Sequence, residues 1–208
     1  MHKITRSSDQ SEDELLEEDQ EEDQAFADIT KSYPSNPFYS ILSLDISLSK
    51  PMVVPMFLPK ILTNILPNLR EINLSNICTS KDVLYNVSNQ CPHLEKVTWN
   101  NIRDYTNDAC VGLSGWDMRT AKNLKEIIMN NSEFRYTRKD RFLFYCCSNA
   151  LERVSISNAT SWLNNPLPQR VLINFVRNVP TLRWFRSGLN EENKNMLRLE
   201  RPDIEFLN

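Results

Sequence analysis

The sequence predicts an α/β fold, a curved solenoid with about six or seven parallel strands inside the bend and helices outside. Three observations predict it. A strand-like triplet of core-type residues recurs, with first members at Leu69, Leu94, Leu124, Leu151 and Leu182, in steps of 25, 30, 27 and 31 residues. Between copies, apolar spacing changes from strand alternation to helical periodicity. A short turn containing Pro or Asn leads into most strands, in NILPNL, QCPHL, TAKNL, SNAL and NVPTL. Strand and helix alternating over short connections give parallel strands, and units too small to bury their own apolar faces must stack.

In chain order, Ile41, Leu44 and Ile46 fit the strand triplet 28 residues before Leu69, and the alternation Leu42, Leu44, Ile46, Leu48 suits an end strand. Pro59 to Leu66 is a helical candidate, followed by the strand Leu69, Ile72, Leu74. Ser80 to Gln90 predicts a helix capped by Ser80, with Val83, Leu84 and Val87 on one face. Next comes the strand Leu94, Val97, Trp99, and then Arg103 to Ala121, an irregular stretch with Gly112, Gly115 and Trp116 that reads as a loop or irregular helix.

After the strand Leu124, Ile127, Met129, the segment Thr137 to Cys147 opens with Thr137 and Asp140 in capping-box-like spacing and predicts a helix burying Phe142, Leu143, Cys146 and Cys147. The strand Leu151, Val154, Ile156 precedes Pro168 to Asn178, a helix with proline at its start that buries Val171, Leu172, Phe175 and Val176. A weaker strand copy, Leu182, Phe185, Ser187, precedes a helix over Glu191 to Leu199. In the closing RPDIEFLN, Ile204 and Phe206 take the two inward strand positions and Arg201 stands where the first leucine belongs. This repeat domain spans residues 38–208.

Residues 1–30 carry eleven acidic side chains against two basic ones, whereas the rest of the chain carries 22 basic against 16 acidic. SEDELLEEDQEEDQ, residues 11–24, has only Leu15 and Leu16 to bury and predicts a disordered acidic tail over residues 1–30. Two roles suit it, a solubilising extension or an arm that folds back on the basic domain or docks a basic partner.

Five cysteines, Cys78, Cys91, Cys110, Cys146 and Cys147, form an odd set spread through the repeats, without an apolar secretory leader at the N-terminus. They read as reduced core residues of an intracellular protein, cytoplasmic or nuclear, with no membrane segment. Asn86-Val-Ser88 and Asn158-Ala-Thr160 match the glycosylation pattern by chance in that setting.

LPNLREINLSNI, CPHLEKVTWNNI and NALERVSISNA resemble the leucine-rich repeats of the F-box/leucine-rich-repeat proteins and their ribonuclease-inhibitor-like relatives, in which a Cys-Pro-x-Leu turn leads into the strand. The resemblance covers residues 40–208. It implies the solenoid and a non-catalytic protein-binding role, with a substrate-recognition subunit of an SCF-type ubiquitin ligase, contacting a ligase adaptor, as the alternative. Residues 1–39 show no F-box-like helical segment. Where the family places Asn or Cys eight residues after the first strand leucine, this chain has Ile77, Ile102, Ser132 and Ala159, and asparagine sits one place earlier at Asn76, Asn101, Asn131 and Asn158. Asparagine tolerates a left-handed backbone and can satisfy turn amides, so these four read as a shifted ladder.

Side chains alternate along a strand, so residues between the core positions face the concave side. They are Glu71, Asn73, Ser75; Lys96, Thr98, Asn100; Glu126, Ile128, Asn130; Arg153, Ser155, Ser157; and Trp184, Arg186, Gly188. Glu71, Asn73, Lys96, Thr98, Asn100, Arg153, Trp184 and Arg186 are the candidate partner contacts, with Trp184 and Arg186 the types that dominate binding energy. Trp184 is expected to be exposed or covered by the helix after it. A second candidate surface is the basic cluster Arg135, Arg138, Lys139 and Arg141, suited to weak nucleic-acid association or to the acidic tail.

Catalysis has no foothold. The chain has two histidines, His2 and His93, and three glycines, so neither a nucleophile triad nor a phosphate-cradling loop can be assembled. Cys91-Pro-His93 reads as a turn, the Cys146-Cys147 pair as buried, and Glu191 and Glu192 as solvated helix-start charges. No cofactor or metal is expected.

Overall fold

The computed structural model describes residues 40–53, 66–78, 82–102, 118–134, 143–161 and 165–207, all within the unit Tyr39–Asn208. The acidic tail, the helix beginning at Pro59, the cap Ser80, Cys110, the glycine-containing stretch after Arg103 and the basic cluster Arg135 to Arg141 lie outside the described residues.

Five of the described strands begin at a turn that their own leucine closes. The backbone N–H groups of Leu69, Leu94, Leu124, Leu151 and Leu182 donate to the carbonyls of Leu66, Cys91, Ala121, Ser148 and Val179, three residues back. The leucine is thereby fixed in the core before the strand starts.

The strands, in chain order, are β1 (Ser43–Asp45), β2 (Met52–Val53), β3 (Glu71–Asn73), β4 (Ile77–Cys78), β5 (Lys96–Thr98), β6 (Glu126–Ile128), β7 (Glu133–Phe134), β8 (Arg153–Ile156), β9 (Thr160–Ser161), β10 (Trp184–Ser187) and β11 (Glu205–Leu207). Among the described residues, three α-helices, α1 (Asp82–Gln90), α2 (Gln169–Asn178) and α3 (Glu191–Glu200), lie between them.

Seven strands form one parallel sheet in the order β1-β3-β5-β6-β8-β10-β11, so each main strand lies beside its sequence neighbour. The register places Leu44, Ile72, Val97, Ile127, Val154, Phe185 and Phe206 in one row. Ile72 to Phe185 in that row are at most 2% exposed, and Leu44, on the edge strand, is only partly buried. Two flanking rows, Leu69 to Leu182 and Leu74, Trp99, Met129, Ile156 and Ser187, complete the apolar face. At roughly 1.5–3 kcal/mol for each fully buried large side chain, these rows hold the sheet together.

The helices bury their apolar faces in the same core. Val83, Leu84 and Val87 do so from α1, and Val171, Leu172, Phe175 and Val176 from α2, as their spacing predicts. Pro168 precedes α2 with φ −59° and ψ 137°, and Asn190 caps α3 by accepting from the Asn193 N–H. The predicted helix ending at Cys147 does not form over its described residues. Leu143 to Cys147 is a run of turns followed by a 3-10 turn over Ser148–Ala150, and Phe144 stands at φ 54°, which a helix cannot contain. That backbone brings Phe144 edge-on between Phe134 and Phe175, at 5.8 and 6.0 Å between ring centroids, and leaves Cys146 half-buried.

The last strand shows a second difference. Phe206 pairs in register with Phe185, so it occupies the central core position and not the one after it. A slip of two residues leaves every side chain on its expected face. Ile204 closes the entry turn by donating to the Arg201 carbonyl, which puts Arg201 in the place of Val179 and not of a leucine. There its guanidinium donates to the carbonyls of Val176, Val179, Pro180 and Leu182 at 3.1–3.3 Å, and to the Asp203 carboxylate. Asp203 is held down to about pH 2, chiefly by that hydrogen bond from Arg201.

A candidate binding face

The face opposite the core is ordered by the same register. Ser43, Glu71, Lys96, Glu126, Arg153, Trp184 and Glu205 form one row, and Asp45, Asn73, Thr98, Ile128, Ser155, Arg186 and Leu207 the next. At about 4.8 Å between neighbouring strands, each row spans roughly 29 Å. Of the eight candidate contacts, Glu71, Lys96, Arg153 and Trp184 share the first row, and Asn73, Thr98 and Arg186 share the second. Asn100 lies beyond the end of its strand.

Charge alternates along the first row. Lys96 Nζ lies 3.6 Å and Arg153 Nε 3.9 Å from the Glu126 carboxylate between them. The residues preceding these strands carry the complementary sequence, Arg70, Glu95, Lys125, Glu152 and Arg183, in which Glu95 pairs with Arg70 at 3.5 Å and Lys125 at 3.2 Å. Half-exposed pairs of this kind contribute at most about 1 kcal/mol each, so their effect is to orient side chains more than to stabilise. Arg153 continues onto Trp184, with its guanidinium carbon 4.8 Å from the centre of the indole. Trp184 is half-buried, with Arg153 on the neighbouring strand lying over its ring.

At the other end, Asp45, Glu71, Asn73, Lys96 and Thr98 line a depression of about 210 Å³. The Asp45 carboxyl is held below its ordinary range by hydrogen bonds from Ser47 and then Asn73. Four of the eight candidate contacts therefore meet in this one concavity.

Not every in-between residue remains on the surface. Ser75 and Ser155 are buried, and Gly188 lines a separate apolar cavity of about 310 Å³ with Ile156, Ala159, Leu167 and Leu172. The asparagines beyond the strand ends serve the backbone. Asn100 Oδ1 accepts the Asn130 N–H at 2.8 Å, while Asn130 Oδ1 accepts the Ser157 N–H at 2.9 Å and the Ser155 hydroxyl at 2.7 Å. Ser75 Oγ accepts from the Asn100 backbone N–H at 3.1 Å. These bonds satisfy amides where the strands end.

One residue further on, Asn76, Asn101, Asn131 and Asn158 have φ of 65°, 64°, 54° and 55°, the left-handed conformation their residue type tolerates. Their side chains bond mainly one another. Asn101 Nδ2 donates to Asn76 Oδ1 at 2.7 Å, and Asn158 Nδ2 to Asn131 Oδ1 at 3.0 Å. Between these two pairs Ser132 supplies the bridge, accepting the Ile102 N–H at 3.2 Å. The turns at Asn76, Asn131 and Asn158 lead out of the sheet into β4, β7 and β9, members of the short pairs β2-β4 and β7-β9.

Of the described cysteines, Cys78, Cys91 and Cys147 are buried and Cys146 is half-buried. Burial pushes the Cys91 thiol up to about 11 and raises that of Cys147 further, so both stay protonated at neutral pH. His93 is exposed on the turn before β5. Among the described residues no cluster of three His, Cys, Asp or Glu side chains is placed to hold a metal, and no helix is long and apolar enough to cross a membrane. The sequence reading missed Lys194, which is 2% exposed on α3 and donates to Glu191 at 2.9 Å. Its only signal was the Glu-x-x-Lys spacing on a helix.

Compared with known proteins, the chain matches no family model and no curated protein.

Proposed function

We propose that the chain is a leucine-rich-repeat module, related in its repeats to the F-box/leucine-rich-repeat proteins, that binds another protein without catalysis. The surface it uses is the polar face of the sheet or the C-terminal end of that face, around Arg153, Trp184 and Arg186. The observation that carries this reading is the register of that face. Seven strands in chain order hold charged, polar and aromatic side chains in registered rows about 29 Å long, over a buried apolar core. Such a face offers area and shape from a rigid base, the requirement for a specific interface.

The test is affinity purification with mass spectrometry on the wild type, Trp184→Ala and Arg186→Glu. A partner recovered by the wild type and depleted at least tenfold with either variant, at unchanged thermal stability, is the expected result. Equal recovery by all three proteins would sink the proposal. Recovery of a cullin adaptor as the dominant partner would assign the chain to the SCF-type ligase subunits instead.

A further inference from the structure

We infer that Arg153, stacked on Trp184, anchors a carboxylate carried by the partner polypeptide, an Asp or Glu side chain. The inference rests on reading the polar face as a protein-binding surface. A guanidinium carbon 4.8 Å from the centre of an indole gains cation-π attraction there, which favours this rotamer and lowers the side-chain entropy that binding would cost.

Its charge is only partly answered within the chain. Nε faces Glu126 at 3.9 Å, beyond hydrogen-bond length, and Glu126 is shared with Lys96 at 3.6 Å. Among the described residues, no acceptor takes a hydrogen bond from the terminal nitrogens of Arg153, whose side chain is 50% exposed.

Two parallel N–H donors on one edge of a planar guanidinium match the two oxygens of a carboxylate. Exposed Arg186, one row along on β10, adds positive charge to the same face, and the half-exposed indole offers an apolar wall to the methylenes of the acid. A neutral apolar segment would strip water from Arg153 without replacing its hydrogen bonds, and a basic one would meet two like charges.

The test is an NMR titration of the 15N-labelled full chain, following the Trp184 indole N–H, assigned with Trp184→Phe, and the Arg153 Nε–H. The ligand is an end-blocked tetraglutamate peptide, with end-blocked tetralysine as control. Saturable shifts of both signals with tetraglutamate alone are expected. Binding should weaken roughly five- to tenfold in Arg153→Lys, which keeps the charge and loses the fork, and vanish at this site in Arg153→Gln. Absence of shifts, equal shifts with tetralysine, or shifts unaltered by Arg153→Gln would overturn the inference. Partner capture that depends on Trp184 while tetraglutamate leaves Arg153 unmoved removes the carboxylate anchor and leaves the binding face. Tetraglutamate binding alongside partner recovery indifferent to both Trp184→Ala and Arg186→Glu keeps a carboxylate site at Arg153 and removes the binding-face reading.

Discussion

The two faces of the sheet run the same length in the same register and are built from different forces. On one, Leu44, Ile72, Val97, Ile127, Val154, Phe185 and Phe206 meet side by side, with water excluded from Ile72 to Phe185. On the other, Glu71, Lys96, Glu126, Arg153 and Trp184 meet through half-exposed charges and one stacked ring. Removing a member of the apolar row leaves a cavity that its neighbours on both sides share. Removing a member of the polar row leaves a charge that water can reach. Stability therefore resides on one face, which leaves the other open to variation in residue type and to exchange of internal pairs for external ones.

Substitutions can break that comparison, and the largest effect belongs to the core. Ile127→Ala, at the centre of the apolar row, is expected to destabilise by about 2–5 kcal/mol in denaturant unfolding. A loss under about 1 kcal/mol would mean that the rows do not share one core. The asparagine corners come next. Asn131→Ala, at φ 54°, loses the bond from Asn158 and forces alanine into a left-handed backbone, for about 1–2 kcal/mol, while Asn131→Gly should recover the backbone part. If the glycine variant is no more stable than the alanine variant, the side-chain bond matters more than the turn.

Polar-face effects should be smaller still. Glu126→Gln breaks the contacts with Lys96 and Arg153 at once, yet is expected to shift unfolding by less than about 1 kcal/mol, and by less again at high salt. A loss comparable to that of Ile127→Ala would erase the distinction between the faces. The smallest effect concerns Asp203, whose lowered value means that its pairing with Arg201 contributes above the ordinary aspartate range near 4 and is lost as pH falls toward about 2. Wild type should exceed Asp203→Asn by under about 1 kcal/mol at pH 6, because Asp203 is 43% exposed, and the gap should close between pH 4 and 2. A gap that persists at pH 2 would assign the difference to packing.

The apolar face was legible because its signal is periodic. Each leucine triplet names its own buried positions, and no long-range information is needed to find Val97 or Ile127. The polar face was legible only as a roster. Alternating signs in Arg70-Glu71, Glu95-Lys96, Lys125-Glu126 and Glu152-Arg153 stand in the sequence, but they become ion pairs only once the register sets which residues are neighbours. The pairing of Arg153 with Trp184 joins residues 31 positions apart and has no local signature. The segment Leu143 to Cys147 misled for another reason, since its apolar spacing suits a helix while packing between Phe134 and Phe175 selects a backbone that a helix forbids.

Arg201 bears on a hazard of every open parallel sheet, its readiness to accept foreign strands and grow into aggregates. A leucine or valine in the last turn would present a greasy step on which another chain's layer could settle. The guanidinium is occupied there by four carbonyls of its own chain and one carboxylate, so it offers an incoming layer no free donor and no apolar surface. A single basic side chain thus turns the place of an apolar step into a satisfied polar clasp on the turn before β10.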